Sequence, residues 1–548
     1  MGYTTRPGVP RPVARFGSYL RECVRIDTRA LAAFRILAGL LIAADLLLRS
    51  RNFTFFYTDE GVVPRALAME LSSGFSVYHL TTSTTLIVAL FLFQGLVALQ
   101  LIVGYKTRVA TVVSFLLVIS LDHHNPFVLS YADTLFRFLL FWAIFLPLGE
   151  RWSIDALSRD RTPRTAVAGI ATALILGQMI YMYFTNGLIK SRSDVWTSGD
   201  AAPQVLAMDE ITFLLGDFVS GFPTALEFGS LLWFYLLVGS PLLLLLRGWP
   251  RAAFAGLFFG GHAAFALTVR IGAFAYVAFA GLLLFVQTPV WEDTKRLLTA
   301  AGVDVVGGYE RTRDRLEAVT RVLPEYRLDS ERAVALRSGG YNVAFGLLVV
   351  AILVVAAAVA VNVGGAVIDG DDDRPLEERV EVTIEGTLEE TTGVGEIYST
   401  AGYFGVDQPI GWGVFAGPDP RTQDRYYVFA AETESGERLD VWNDRELTYD
   451  RPGDQLQKQY GTYRERFYMN SVRRGGHGND LAPTLAEHVC AEWSADHDDD
   501  LAYLNMYMVG EDVTLETLHS PDERERSYTE IYRHGCGDRE PREIDPPE

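Results

Sequence analysis

Nine runs of mostly apolar residues, at about 30–48, 85–104, 109–129, 133–149, 165–187, 224–246, 252–269, 271–288 and 340–366, constrain this chain more than any other feature. A bilayer core takes roughly 20 apolar residues of helix, and every backbone N–H and C=O inside it must be bonded within the segment. The length of 548 residues suits several soluble domains, but the apolar runs overrule that reading. We expect an all-α polytopic membrane bundle of about nine helices followed by a small α+β extracytoplasmic domain. Residues 1–29 are then a cytoplasmic basic tail, 30–290 a transmembrane domain of eight helices, 291–339 a cytoplasmic Arg-rich segment, 340–366 the ninth helix and 367–548 the outer domain. Arg137 interrupts the fourth run, and the seventh and eighth share one stretch divided at Arg270 and Gly272.

Charge gives the orientation, because Lys and Arg gather in cytoplasmic loops. Six arginines from Arg6 to Arg29 precede the first run; with nine crossings, YKTR, ERWSIDALSRDRTPR, RGWPR and the stretch 291–337 fall on the same side. We therefore expect a multi-pass cell-membrane protein with its N-terminus inside and its C-terminal domain outside. The first run lacks a small-residue cleavage site and reads as a retained span. The net charge of −20 is divided unevenly: from Asp369 onward 42 acidic residues face 17 basic ones. Such a domain argues against nucleic acid or anionic lipid as its partner and suits a cationic ligand, divalent ions or solvation in concentrated salt. The runs DDD at 371–373 and DHDDD at 496–500 read as salt-adapted surface, since neither has the spaced ligands and glycine of a calcium loop.

Cys23 falls inside, whereas Cys490 and Cys536 both fall in the outer domain, where oxidising conditions allow the bridge we expect. CxxC and HxxxH spacings are absent, and no metal is expected. On the first helix Arg35 and Asp45 are expected to face the bundle interior. The loop RNFTFFYTDEGVVPRALAMEL is amphipathic enough to lie on the membrane surface, and its Asn52-Phe-Thr is a weak glycosylation acceptor. Pro126 ends the third helix, where Asp122, His123, His124 and Asp133 crowd an outer re-entry; adjacent histidines on a helix point apart and read as interface polars. Glu227 lies in the sixth helix. His262, beside two glycines in the seventh, is either a packed, hydrogen-bonded core residue or a proton-handling group. In the outer domain RYYVFAAETESGERLDVW reads as a hairpin, KQYGTYRERFYMNSV and APTLAEHVCAEWSA as helices and LAYLNMYMVGEDVTLET as a strand, giving a small sheet with helices on one face. DQPIGWGVFAGPDPRTQDR is expected to lie against the membrane mouth.

The candidate working centre is QMIYMYFTNGLIKSRSDVW at 178–196. Of 48 basic residues only Lys106, Lys190, Lys295 and Lys458 are lysine. Lys190 closes an apolar run that begins near Ala166, so it is expected at the last turn of a membrane helix, where burial lowers an amine pKa towards that of a usable base. Arginine keeps its proton in a protein and lysine can release it, so a position that needs a base tolerates only lysine. The plainer reading is that Lys190 snorkels to the interface as an anchor.

The segments AAFRILAGLLIAADLLLR, GYKTRVA, RWSIDAL, YFTNGLIKSRSDVW and GHAAFALTVRIGAFAYVAFAGLLLF, in this order over about 30–291, resemble the HTTM domain, the transmembrane module shared with the vitamin K-dependent gamma-glutamyl carboxylases. The tail resembles the carboxylase segment after its last helix through DQPIGWGVFAG, the hairpin and a helix pair, and bacterial-type relatives share it more closely. The resemblance places the family GxxK on Gly187 and Lys190, with Lys190 as catalytic base, and its membrane histidine on His262; we take Glu150, Glu227, Arg270 and Tyr183 as supporting residues. It implies a reduced naphthoquinone, of the vitamin K or menaquinone type, that the lysine deprotonates. Oxygen then adds, and the resulting strong base removes a γ-proton from a glutamate side chain, which captures carbon dioxide. The implied partners are the bilayer, a lipid-soluble quinone and a protein or small-molecule carboxylate on the outer side, with no nucleic acid. The chain departs from the carboxylases in having Glu150 where they have a histidine before YWSVD, Ile189 in place of a second lysine, and a tail too short for their large C-terminal part. These departures favour quinol oxidation or epoxidation on a small substrate over carboxylation of protein glutamate. The alternative is a non-enzymatic membrane module that binds lipid or recognises a partner through its acidic domain; a transporter lacks the inverted repeat.

Overall fold

Asp27 starts the first long helix, because its carboxylate accepts the Arg29 N–H at 2.8 Å and pairs with the Arg29 guanidinium, satisfying donors that a helix start leaves open. The computed structural model describes residues 11–304 and 420–547, apart from 72–73, 159–161, 454 and 476–479, together with scattered positions between 307 and 346. A short helix α1 (Arg11–Cys23) precedes α2 (Thr28–Arg49). The helices α3 (Thr84–Val103) and α4 (Thr107–His124) meet at Gly104, whose φ of 71° ends α3 and leaves room for the Arg35 guanidinium. Then come α5 (Tyr131–Ala143), α6 (Ile170–Lys190), α7 (Pro223–Val238), α8 (Gly248–Thr268), α9 (Phe274–Leu283) and α10 (Thr288–Ala300). Arg35 is fully buried and faces inward, where it donates to the carbonyls of Ile102 (3.2 Å), Leu148 (3.3 Å), Arg151 (3.3 Å) and Trp152, tying α2 to two turns.

The count of nine spans is corrected. Among the described residues two helices are long and apolar enough to cross a membrane, Thr28–Tyr57 and Thr84–Val103, with a third if α9 and α10, bent by 101°, make one span. The fourth run yields only the 13 residues of α5. The sixth breaks at Gly239 into α7 and a single turn, Leu242–Leu245. In α4 and α6 the apolar sequence is interrupted by Asp122, His123, His124, Asn186 and Lys190, all of them buried against other segments. The ninth run, the DDD run at 371–373 and DQPIGWGVFAG lie outside the described residues.

The C-terminal domain is a five-stranded antiparallel sheet built from β1 (Gln423–Thr433), β2 (Arg438–Asp440), β3 (Arg445–Glu446), β4 (Leu501–Asp512) and β5 (Arg526–Gly535), in the order β3-β2-β1-β4-β5. β1 alternates its side chains in register: Tyr427, Phe429 and Ala431 share a core with residues of α11 (Tyr463–Gly475) and α12 (Leu481–Asp496), while Tyr426 and Val428 pack with Leu456 on the other face. The disulfide Cys490–Cys536 joins α12 to the residue after β5, with Cα atoms 5.9 Å apart. β5 escaped the sequence reading because it is an edge strand whose side chains are mostly polar and only partly buried.

Two ionic clusters dock this domain on the bundle. Arg464 of α11 enters between Asp133 (3.0 Å) and Asp45, and Arg49 binds Asp122 at 2.8 Å beside them. In the second cluster Asp424 accepts the backbone N–H groups of Asp209 and Glu210, both at 2.9 Å. Glu210 is held by Arg421 and by Arg466 (2.8 Å). Burial alone would raise the Glu210 carboxyl, yet the two guanidinium groups outweigh it and hold it at about 2. Because that pKa is depressed, the contribution of Glu210 to docking is present above the usual carboxylate range and is lost as pH falls through about 2. The start of the loop after α2 packs against this domain: Phe56 lies on Tyr468 at 5.3 Å and the Asn52 amide donates to Glu465. His123 lies 3.0 Å from the Phe75 carbonyl, and His124 donates from Nε2 to that of Tyr57 at 3.2 Å, so each is anchored to backbone.

Candidate active site

Helical spacing puts Met182, Asn186 and Lys190 four residues apart on one face of α6, with Tyr183 beside them. All four line one cavity of about 460 Å3. Its other walls come from α7, α8, the start of α9 and the segment 196–226. Gly187 has a packing role, because a Cβ there would stand 2.8 Å from the Val238 backbone nitrogen, so only glycine lets α6 approach α7 this closely. Lys190 is 1% exposed. Its Nζ sits 3.8 Å from the centroid of the Trp196 ring, which is presented by the short helix Asp194–Ser198 and capped by Ser193.

His262 of α8 is fully buried in the same cavity, and its Nε2 is 2.8 Å from the Tyr183 hydroxyl. Trp233 packs edge-on to the imidazole at 5.2 Å, and Gly261 makes room for that indole, since a Cβ there would lie 2.5 Å from it. His262 is therefore packed and hydrogen-bonded, as the first of its two readings has it, and it also lines a cavity. Among the described residues His262 Nδ1, Ser230 Oγ and Trp196 Nε1 are buried without a hydrogen-bond partner, and all three residues line the cavity. Buried polar atoms of this kind favour a ligand that can bond them. Tyr183→Phe keeps the ring and removes only the hydroxyl. We expect it to lower stability by about 1–3 kcal/mol, because His262 Nε2 is left buried without its partner. Thermal unfolding in detergent checks this, and an unchanged midpoint would show that the pair adds nothing.

The segment 196–226 over the cavity is pinned at its middle, over residues 209–213. Phe213 donates to the Thr268 carbonyl at 2.9 Å and Arg270 N to that of Ile211 at 2.7 Å, while Asp424 of the C-terminal domain grips residues 209 and 210. Three expected supports lie elsewhere. Glu150 is buried against Arg164, whose guanidinium is 3.0 Å away and whose backbone N–H it accepts, so it closes the 150–164 loop. Glu227 is half-buried on α7 but does not line the cavity. The Arg270 guanidinium turns to the carbonyls of Gln457 and Tyr460 and fastens the C-terminal domain instead. Conversely, sequence reasoning passed over Asn186, which the four-residue step back from Lys190 would have found, and over Trp196, Ser230 and Trp233, which only packing brings near. Residues 24–291 match the family model of the HTTM domain. No curated protein and no solved structure matches the chain.

Proposed function

We propose that residues 24–291, as an HTTM domain, form the catalytic part of an integral membrane protein of the carboxylase and epoxidase type, in which Lys190 is the base that activates a reduced naphthoquinone. One observation carries this reading: Lys190 shares an otherwise largely apolar cavity with the Tyr183–His262 pair. The residues present fit such a ligand. A cavity of about 460 Å3 suits a bicyclic ring, and the Ser230 hydroxyl and Trp196 N–H, which have no partner among the described residues, can bond its ring oxygens. Once bound, a reduced naphthoquinone supplies, with dioxygen, the strong base that removes a γ-proton from a carboxylate substrate ready to take up carbon dioxide, and it leaves as its epoxide with water. For the chain, Lys190 receives the quinol hydroxyl proton at Nζ, the Trp196 ring holds the amine in place, and His262, oriented by Tyr183, presents Nδ1 to the ligand. The apolar walls keep water from competing for that proton.

In this reading the cell membrane surrounds the bundle, the N-terminus and residues 150–164 are cytoplasmic, and the acidic C-terminal domain is outside. Asp480→Cys in a Cys23→Ser background should react with a membrane-impermeant maleimide on intact cells; reaction only after lysis would reverse the orientation. The function itself is tested with purified protein in lipid discs supplied with naphthoquinol, dioxygen, bicarbonate and a small glutamyl substrate. We expect quinol consumption with epoxide as product. A preparation that binds the quinol and consumes none would be the non-enzymatic lipid-binding module.

A further inference from the structure

The cavity has a side opening, and its rim identifies it. Of the residues that line it, the exposed ones are Gly229, Leu232, Gly256, Leu257, Gly260 and Ala264, and all six sit on α7 and α8. A Cβ at Gly229, Gly256 or Gly260 would meet nothing within 4 Å. Glycine inside a helix is disfavoured relative to alanine, and here no close neighbour requires it, in contrast to Gly187 and Gly261. What the three glycines provide is open space between two helices. The outward surface around it is apolar, with Phe228 70%, Tyr235 66%, Leu257 47% and Leu232 42% exposed, so the rim of the opening suits an apolar chain better than water. Inside it, next to Gly229, the Ser230 hydroxyl is 2% exposed and unpartnered among the described residues.

We propose that this opening is a binding site for a hydrocarbon chain: the ligand of the Lys190 cavity carries a single long apolar tail, which passes between α7 and α8 into the bilayer while its polar head stays with Lys190, Ser230 and His262. The proposal rests on the reading of that cavity as a ligand site and adds the tail and its route. A ligand of this shape enters sideways from the membrane, so the segment 196–226 can stay closed over the cavity during exchange.

The probe is a naphthoquinone with a diazirine on the first isoprene unit of a long isoprenoid chain, photolysed with the purified protein in lipid discs. We expect adducts concentrated in 229–236 and 256–264. Gly260→Phe, whose ring has open space to occupy, should cut that labelling at least tenfold, and Gly256→Phe serves as an independent block. Leu99→Phe, an exposed apolar position on α3, controls for an added surface aromatic and should label like the parent. Adducts spread evenly over all apolar helices, or full labelling in both monodisperse glycine variants, would overturn the window. Labelling requires no turnover, so it separates this proposal from the catalytic one. Displacement of the probe by a long-chain fatty acid and not by a tailless naphthoquinone would uphold the window and reject the quinol as its occupant.

Discussion

Lys190→Arg is expected to lower quinol consumption by about 10²–10⁴-fold, the usual contribution of a positioned general base, in a protein that remains folded and monodisperse. The substitution keeps a basic side chain beside the Trp196 ring, and the adjoining cavity has room for the larger head group. What it removes is the ability to accept a proton, because a guanidinium stays protonated throughout the accessible pH range. An interface anchor would tolerate the change fully, so the experiment divides the two readings of this lysine. Initial rates are compared at saturating naphthoquinol, with binding of the quinol measured separately. If Lys190→Arg turns over at the parental rate, Lys190 is not the base.

Arg464→Met should be the most damaging single change at the junction of the two parts, with a cost of about 3–5 kcal/mol. The Arg464 side chain is 4% exposed and its carboxylate partner Asp133 is 8% exposed, so removal of the guanidinium strands a buried charge. Arg49 is 3.5 Å from the same carboxylate oxygen, but it is already engaged with Asp45 (2.7 Å) and Asp122. The readout is the thermal midpoint together with the rate of limited proteolysis of the C-terminal domain. Arg313→Met, which removes an exposed pair four residues apart in sequence, should cost under about 1 kcal/mol. Adding Asp133→Asn to Arg464→Met should recover part of the loss, since the uncompensated charge disappears with it. Equal effects of Arg464→Met and Arg313→Met would mean that the buried cluster does not hold the domain.

Local chemistry made much of this protein legible in its sequence. A lysine kept in an arginine-biased chain, at the end of an apolar run, marked Lys190, and a histidine between apolar residues marked His262. Alternation and helical spacing located β1, β4, α11 and α12, because those patterns are set within a few residues by backbone geometry. Hydropathy found the apolar runs but overcounted the spans. A segment such as α5, sheltered by its neighbours, is apolar without being long enough to cross, and hydropathy does not distinguish contact with protein from contact with lipid. The tertiary structure alone decided which distant groups meet: Tyr183 with His262, 79 positions apart, Asp424 with the backbone of Asp209 and Glu210, and Arg464 with Asp133. It also withdrew Glu150 and Arg270 from the cavity, since each found hydrogen-bond partners where the chain happened to fold beside it. Such pairings follow from how whole helices pack and from the cost of leaving a buried polar group unsatisfied, and no spacing along the chain encodes them.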